Sequence, residues 1–498
     1  MQEELIIKKR EIINTFLKKG ILVDPLFLKK LDVENNISNI YNLLQTKDFD
    51  ELAVVGLDSQ EIFRNQETQT QQAEQEQPIN KVKIVSSYTE DSKKREPQDF
   101  IDYFNNRYKA LEKILRQRQQ LKNTTSINKL NNNKEMENVA IIGIINDKQT
   151  TKNGNLLIIL EDPTKQIKAI VNKNKPKLLH DAKDLVLDEI VGVTGVKLGE
   201  VIFVNEIIWP DIPSEKELKK QNEEKFAIFL SDIHVGSTKF LPEDFEKFLR
   251  WINGDIGNQQ QKHIAKNVEY IFIAGDLVDG CGIYPEQDKE LTTKDIYEQY
   301  KECADLLKQI PKDIPLIICP GNHDALRLSE PQPPLSENFA KPMYELNNAF
   351  MVSNPSTINI NSSSSFSGFD VLMYHGYSFD YFIAEVDSLR NNGGYNRADL
   401  IMKFLLKRRH LAPTHLSTQY IPDTKKDPLV IEKVPDFFLS GHIHKSITAN
   451  YRNTTLISGS CWQGKTAFQE KMGHNPEPSR VPIVNLQTRE IKILKFGQ

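Results

Sequence analysis

Five short apolar runs in the second half of the chain each stop on a cluster of polar residues, and this repetition constrains the fold more than any other feature. FAIFLSD runs into Asp232-Ile233-His234, YIFIAGD into Gly275-Asp276-Leu277-Val278-Asp279, and PLIICPG into Gly321-Asn322-His323-Asp324. DVLMYHG ends on His375-Gly376, and DFFLSGH on Gly441-His442-Ile443-His444. Short runs rich in β-branched and aromatic residues, bounded by Gly, Pro or Asp, read as buried strands. Stretches with helical spacing lie between them, such as 295–310, so the expected fold is α/β. In such sheets ligands gather beyond the carboxyl ends of the strands. Every cluster falls at one of those ends, so all of them can face one crevice.

The clusters pool His234, His375, His442 and His444 with Asp232, Asp276 and Asn322, and leave His323 over. Neutral imidazole and carboxylate oxygen suit borderline divalent ions such as Mn²⁺, Fe²⁺ or Zn²⁺, and the supply is sufficient for two of them. In Asp232-x-His234 and His442-x-His444 the side chains are two residues apart, so extended backbone would point both the same way. Asp276, in a tight Gly-Asp turn, is the candidate bridge, because a carboxylate has two oxygens. The neighbouring glycines let backbone approach ligands without a Cβ in the way. Each piece alone is ordinary, since a turn would also accept Gly, Asn and Asp. Their ordered recurrence at strand ends carries the reading.

A chain of 498 residues exceeds one typical core and points to about two to four domains. Its hydrophobic fraction of 39% is low for a compact protein, which suggests that part is linker. Residues 1–63 read as a small helical domain. Leu5, Ile6, Ile12, Ile13 and Phe16 recur at helical spacing before Gly20, and Ile37, Ile40, Tyr41, Leu43 and Leu44 form a second series. Residues 64–97, with QETQTQQAEQEQP, have too few apolar groups to offset ordering entropy and are expected to be a disordered linker. Residues 98–136 hold a helix, with Phe100, Ile101, Phe104, Tyr108, Leu111, Ile114 and Leu115 on one face, and a connector. Across 137–213, VAIIGII, NLLIILED, IKAIVN, EIVGVTGVKL and VIFVNEII have the number and size of an OB-type barrel's strands. Few aromatic residues decorate them for base stacking, so a structural or interface role is expected. Residues 214–498 carry the polar clusters.

The net charge of −4 is no footprint of a whole-surface nucleic-acid binder, so positive charge for DNA would be local or borrowed. Cys281, Cys303, Cys319 and Cys461 form no CxxC pair and fit a reduced, cytoplasmic interior. No run approaches a membrane span and the N-terminus lacks an apolar signal core, so a soluble protein with no membrane partner is expected. His180, His263, His415 and His474 read as surface or structural. The basic stretch FLLKRRH, with Lys403, Lys407, Arg408 and Arg409, reads as a solvated helix face, a subunit contact or a grip on phosphate. Asp279 reads as a residue that caps or orients its loop, and Asp370 and Asp380 as turn residues.

The ordered series resembles the calcineurin-like metallophosphoesterase pattern, D-x-H, G-D, G-N-H-D, H and G-H-x-H, with no ligand missing. The resemblance implies a β-sandwich flanked by helices. It implies one metal held by Asp232, His234, Asp276 and His444, and a second held by Asp276, Asn322, His375 and His442. His323 would then sit beside the phosphate without ligating, oriented by Asp324. GIYPEQ (282–287), PQPPLSENF (331–339), RRHLAP (408–413), DPLVIEKVPDFF (427–438) and SCWQGKTAFQ (460–469) are similar to segments of the small subunits of archaeal family D DNA polymerase, also called DNA polymerase II. This second resemblance covers about residues 98–498. It implies a heterodimer with a large polymerising subunit, and a metal-dependent 3′→5′ proofreading exonuclease acting on DNA 3′ ends in replication. A sliding clamp would be met through the holoenzyme. The two divalent ions are expected to be Mn²⁺, with Fe²⁺ or Zn²⁺ as alternatives. A non-catalytic structural subunit and a stand-alone repair phosphodiesterase are the competing readings.

Overall fold

The computed structural model describes residues 81–89, 93–130, 136–423 and 425–497, together with Leu22–Val23 and Val54–Val55. Those two short strands pair in parallel within the unit Met1–Gln77. The two apolar helical series expected in 1–63 and the Gln-rich stretch lie outside the described residues. The unit Pro78–Gln498 holds every other described element.

Five strands close into a barrel in the neighbour order Glu137–Thr150, Leu156–Glu161, Gln166–Val171, Val201–Ile208 and Ile190–Leu198. Only Gln166–Val171 and Val201–Ile208 run parallel. Alternation decides the inside: every second side chain of Leu156–Glu161 is buried, and Ile158, Leu160, Ala169, Val171, Val193 and Val204 join one core. These are the strands that the sequence marks.

The helix Pro97–Leu115 lies against this barrel through Tyr108, Leu111 and Leu115, which pack with Ile142, Ile190 and Ile208. Its buried stripe is Tyr103, Arg107, Leu111 and Leu115, each four residues apart. Phe100 and Ile101, expected on that face, are 40% and 54% exposed. The reason is Arg107, whose charge turns inward because Asp427 takes its Nε–H at 2.6 Å and the Pro413 carbonyl takes another guanidinium N–H at 3.0 Å. A pattern of apolar residues cannot show a buried, paired cation.

Two six-stranded sheets form the rest. The first runs Ala349–Met351, Leu316–Cys319, Val268–Ala274, Phe226–Leu230, Arg480–Asn485 and Ile491–Lys495, and its first four strands are parallel. The second runs Ile447–Tyr451, Thr454–Ser458, Phe437–Ser440, Phe369–Met373, Ser356–Ile360 and Val82–Ser87. The linker expected over 64–97 therefore does not hold at Val82–Ser87, which pairs antiparallel with Ser356–Ile360. VKIVSS is a β-prone run, and an edge position asks it to bury little more than Val82.

Period-two alternation sorts the first sheet's side chains. Phe226, Ile228 and Leu230 pack with Phe245, Phe248, Trp251 and Tyr300 from the helices Pro242–Ile252 and Ile296–Leu307. Ala227, Phe229, Phe272 and Ile317 face Phe369, Val371, Phe437 and Leu439 of the second sheet. The second sheet's other face, with Leu372 and Phe438, is covered by Phe382, Ile401 and Leu405 from the helices Phe379–Glu385 and Ala398–Arg408. The layers are helix, sheet, sheet, helix. Strands covered on both faces read as unbroken apolar runs, which is how they look in the sequence.

Apart from the exposed Lys403, the basic stretch is not a solvated face. Arg408 is buried with its Nε 2.6 Å from the Glu189 carboxylate beside the barrel, and Arg409 donates to the Ile431 carbonyl at 2.6 Å. Lys407 lies over the Trp209 ring at 3.7 Å. The stretch thus fastens the barrel to the second sheet's helical layer. Arg408→Ala would leave Glu189 buried without its partner, and a stability loss of about 3–5 kcal/mol is expected in denaturant unfolding. Among the described residues no helix is long and apolar enough to cross a membrane.

Candidate metal centre

Each polar cluster follows the carboxyl end of a parallel strand, but the strands come from both sheets. Asp232 and His234 follow Phe226–Leu230, Asp276 follows Val268–Ala274, and Asn322 follows Leu316–Cys319. His375 follows Phe369–Met373, and His442 and His444 follow Phe437–Ser440, in the second sheet. The crevice is the shared rim of the sandwich.

The backbone differs from the extended form expected of D-x-H and H-x-H. Asp232, His234, Asp276, His442 and His444 have φ of 52°, 55°, 51°, 68° and 56°, the left-handed region that non-glycine residues avoid. Ile233 and Ile443, between the paired residues, are turned into apolar cores while their neighbours converge outside. Hydrogen bonds hold this strain: Asp232 N–H donates to the Gly275 carbonyl at 2.9 Å and His234 N–H to that of Asp276 at 3.0 Å. Two glycines make the approach possible. A Cβ on Gly321 would stand 2.2 Å from Asp276 Oδ1, and one on Gly441 would stand 2.5 Å from Asp232 Oδ2.

The seven expected ligands meet in two adjoining groups. In one, His234 Nε2 lies 3.1 Å from His444 Nε2, which lies 3.4 Å from Asp232 Oδ1, and Asp276 Oδ2 is 3.8 Å from His234 Nε2. In the other, His375 Nε2 is 3.2 Å from Asp276 Oδ2 and 3.0 Å from Asn322 Oδ1, and His442 Nδ1 is 3.0 Å from the same Asn322 oxygen. Asp276 belongs to both.

The donor set fits cations on chemical grounds. His375 Nδ1 donates to the Ala274 carbonyl at 2.7 Å, so in the neutral ring its Nε2 carries a lone pair. That lone pair faces a carboxylate and an amide oxygen, all acceptors. A proton or a metal ion has to lie between them. In the protein's own field, burial pushes His375 down but Asp276 beside it pulls the imidazole up to about 10. Burial likewise pushes Asp276 up, yet His375 and His323 outweigh it and hold the carboxyl well below its usual range. Asp232, His234 and His444 form one buried group able to hold an ion, and Asp232, Asp276 and His375 another.

His323 lies beside these groups, its ring edge-on to His234 with centroids 4.8 Å apart. Its Nδ1 donates to the Asp279 carbonyl at 2.8 Å. Asp324 does not orient it: that carboxyl accepts from Gly321 N–H at 2.8 Å and Tyr300 O–H at 3.2 Å. Burial, with the Asp276 charge nearby, raises Asp324 to about 7. Burial lowers the pKa of His323, so charging it calls for an anionic neighbour.

Three residues that matter here were passed over or read otherwise in the sequence. Asp279 Oδ1 lies 3.1 Å from His234 Nδ1 and is itself held by Gln463 and Gln287, so it orients a histidine and not merely a loop. Asp380, in the first turn of Phe379–Glu385, lies 2.9 Å from His442 Nε2 and is no mere turn residue. Gln469 lies 3.0 Å from His444 Nδ1. Asp279 stood in the GDLVD cluster, and Gln469 closes the SCWQGKTAFQ segment. Asp370 is a strand residue away from the ligands, paired with Lys433 at 2.8 Å. His263 pairs with Glu224 and His415 with Asp188 on the surface, His180 is exposed, and His474 stands against Tyr395.

Residues 227–448 match the family model for the B subunits of DNA polymerases alpha and epsilon. The DNA polymerase II small subunit of Methanothermobacter thermautotrophicus is 40% identical over 400 residues, covering 80% of this chain and 79% of that one. This chain belongs to the archaeal DNA polymerase II small-subunit family. The family member from Archaeoglobus fulgidus is 37% identical over 401 residues, with 80% and 78% covered. The one from Methanocaldococcus jannaschii is 40% identical over 391 residues, and this chain spans 64% of its length. The aligned lengths fall short of the whole chain.

Proposed function

We propose that this chain is the 3′→5′ exonuclease subunit of a two-chain archaeal DNA polymerase of family D, whose large partner polymerises. The convergence of seven lone-pair donors, with Asp276 Oδ2 beside a histidine of each group, is the observation that carries this reading. Residues 214–498, with the edge strand Val82–Ser87, would be a calcineurin-like domain, and 137–213 an OB-type barrel. Asp232, His234, Asp276 and His444 would hold one divalent ion, Mn²⁺ in the first instance, and Asp276, Asn322, His375 and His442 a second. When bound, such a pair neutralises phosphate charge and acidifies water.

The chain's own groups do the rest. The Ala274 carbonyl, Asp279 and Asp380 each accept from one nitrogen of a histidine and so aim its other nitrogen into the site, and Gln469 Nε2 lies 3.0 Å from His444 Nδ1. His323, with Nδ1–H on the Asp279 carbonyl, keeps Nε2 for a proton shared with a phosphate oxygen or the departing 3′ oxygen. Asp380→Ala should weaken Mn²⁺ binding about 10–100-fold in titration calorimetry by freeing His442 to rotate.

Purified chain and a 3′-labelled primer test the activity, with and without Mn²⁺. Shortening of the primer from its 3′ end that requires Mn²⁺ supports the reading, and an intact primer in both arms, alone and with the large chain, points to a structural subunit. Pull-down of a large polymerising chain distinguishes this from a stand-alone repair enzyme.

A further inference from the structure

Next to His323 stands an aromatic pair that the metal chemistry does not use. Tyr284 and Phe468 stack with centroids 5.6 Å apart and planes at 24°, and the Tyr284 ring lies 6.4 Å from that of His323. The two residues are far apart in the chain, yet one carboxylate braces both. Glu290 accepts from Tyr284 O–H at 2.9 Å and from Ala467 N–H at 3.2 Å. Each segment is also tied to the site. Gln287 donates to the Asp279 carbonyl at 2.8 Å, and Gln469 lies 3.0 Å from His444 Nδ1. The pair is thus held at a set position relative to the reacting centre. Neither ring is closed into a core: Phe468 is 48% exposed and Tyr284 is half-buried.

We propose that Tyr284 and Phe468 stack the base of the nucleotide whose phosphate lies at the metal centre. This rests on the nuclease reading and deepens it, because it makes a nucleobase, of any identity, part of what the site recognises. Every base offers a π face, so such a platform tolerates sequence while rejecting a missing base. Its rigidity suits it to the task, since little ordering entropy is lost when the base arrives.

The test compares primers that end in a normal nucleotide or in an abasic one. For the wild-type chain kcat/KM should favour the normal end. Phe468→Ala should cut that ratio roughly tenfold, mainly through KM, and Phe468→Trp should keep it. A ratio that stays the same in Phe468→Ala overturns the proposal. A second measurement does not depend on turnover. Trp209, Trp251 and Trp462 are all buried, so Phe468→Trp adds an exposed reporter. In a His323→Ala background, oligothymidylate with an intact terminal base should quench its fluorescence, and the abasic oligomer should not. Equal quenching, or none, overturns the stacking even where wild type degrades DNA. Base-dependent quenching beside a wild type that hydrolyses nothing would retire the exonuclease and retain the platform.

Discussion

Asp276→Asn is expected to lower hydrolysis on the order of 10³-fold or more, with loss of bound Mn²⁺ from both halves of the site. The side chain is buried, and Oδ2 lies 3.2 Å from His375 Nε2 and 3.8 Å from His234 Nε2, so one oxygen reaches a histidine of each donor group. Its other oxygen accepts the His323 backbone N–H at 2.8 Å and is set against the open face of Gly321. Asparagine preserves the shape but removes the charge, and it turns an N–H₂ toward one of those partners. Metal content and rate should therefore fall together while circular dichroism stays that of a folded chain. An Asp276→Asn chain with two Mn²⁺ and an undiminished rate would falsify the shared-ligand role.

The second large effect separates chemistry from metal binding. His323→Ala should lose about 10²–10⁴-fold in rate and keep its Mn²⁺. The imidazole is anchored by the Asp279 carbonyl, outside both groups of expected ligands, and alanine retains the backbone N–H that Asp276 accepts. Asp324→Asn makes the comparison sharper. Since its carboxyl touches Gly321 and Tyr300 and not the imidazole, it should alter stability more than the rate. Metal loss in His323→Ala, or a rate drop in Asp324→Asn as deep as in His323→Ala, would remove these assignments.

The distinction between what is local and what is distant explains which features were legible. FAIFLSD and YIFIAGD show strands with polar ends because an apolar run of that length has few other ways to be buried, and the five barrel runs show the same. The helix Pro97–Leu115 was visible too, but its rotation was not, since Arg107 turns inward only because Asp427, far along the chain, is there to meet it. Val82–Ser87 was lost in a polar neighbourhood. An edge strand needs only one neighbour, here Ser356–Ile360, and that neighbour is remote in sequence.

By itself, then, the sequence determined the helix Pro97–Leu115, the five barrel strands, the five strands with polar ends, and the order in which seven ligand-type side chains arrive at those ends. Those follow from composition over windows of a few residues. Only the tertiary structure decided which strands go to each of the two facing sheets, that five of the seven side chains converge through left-handed backbone, and that Arg408 and Arg409 point into the protein. It also decided that Asp380 and Asp279 aim the histidines. Each of these depends on a partner supplied from elsewhere in the chain, and a hydrogen bond or ion pair across such a distance leaves no periodicity in the segments it joins.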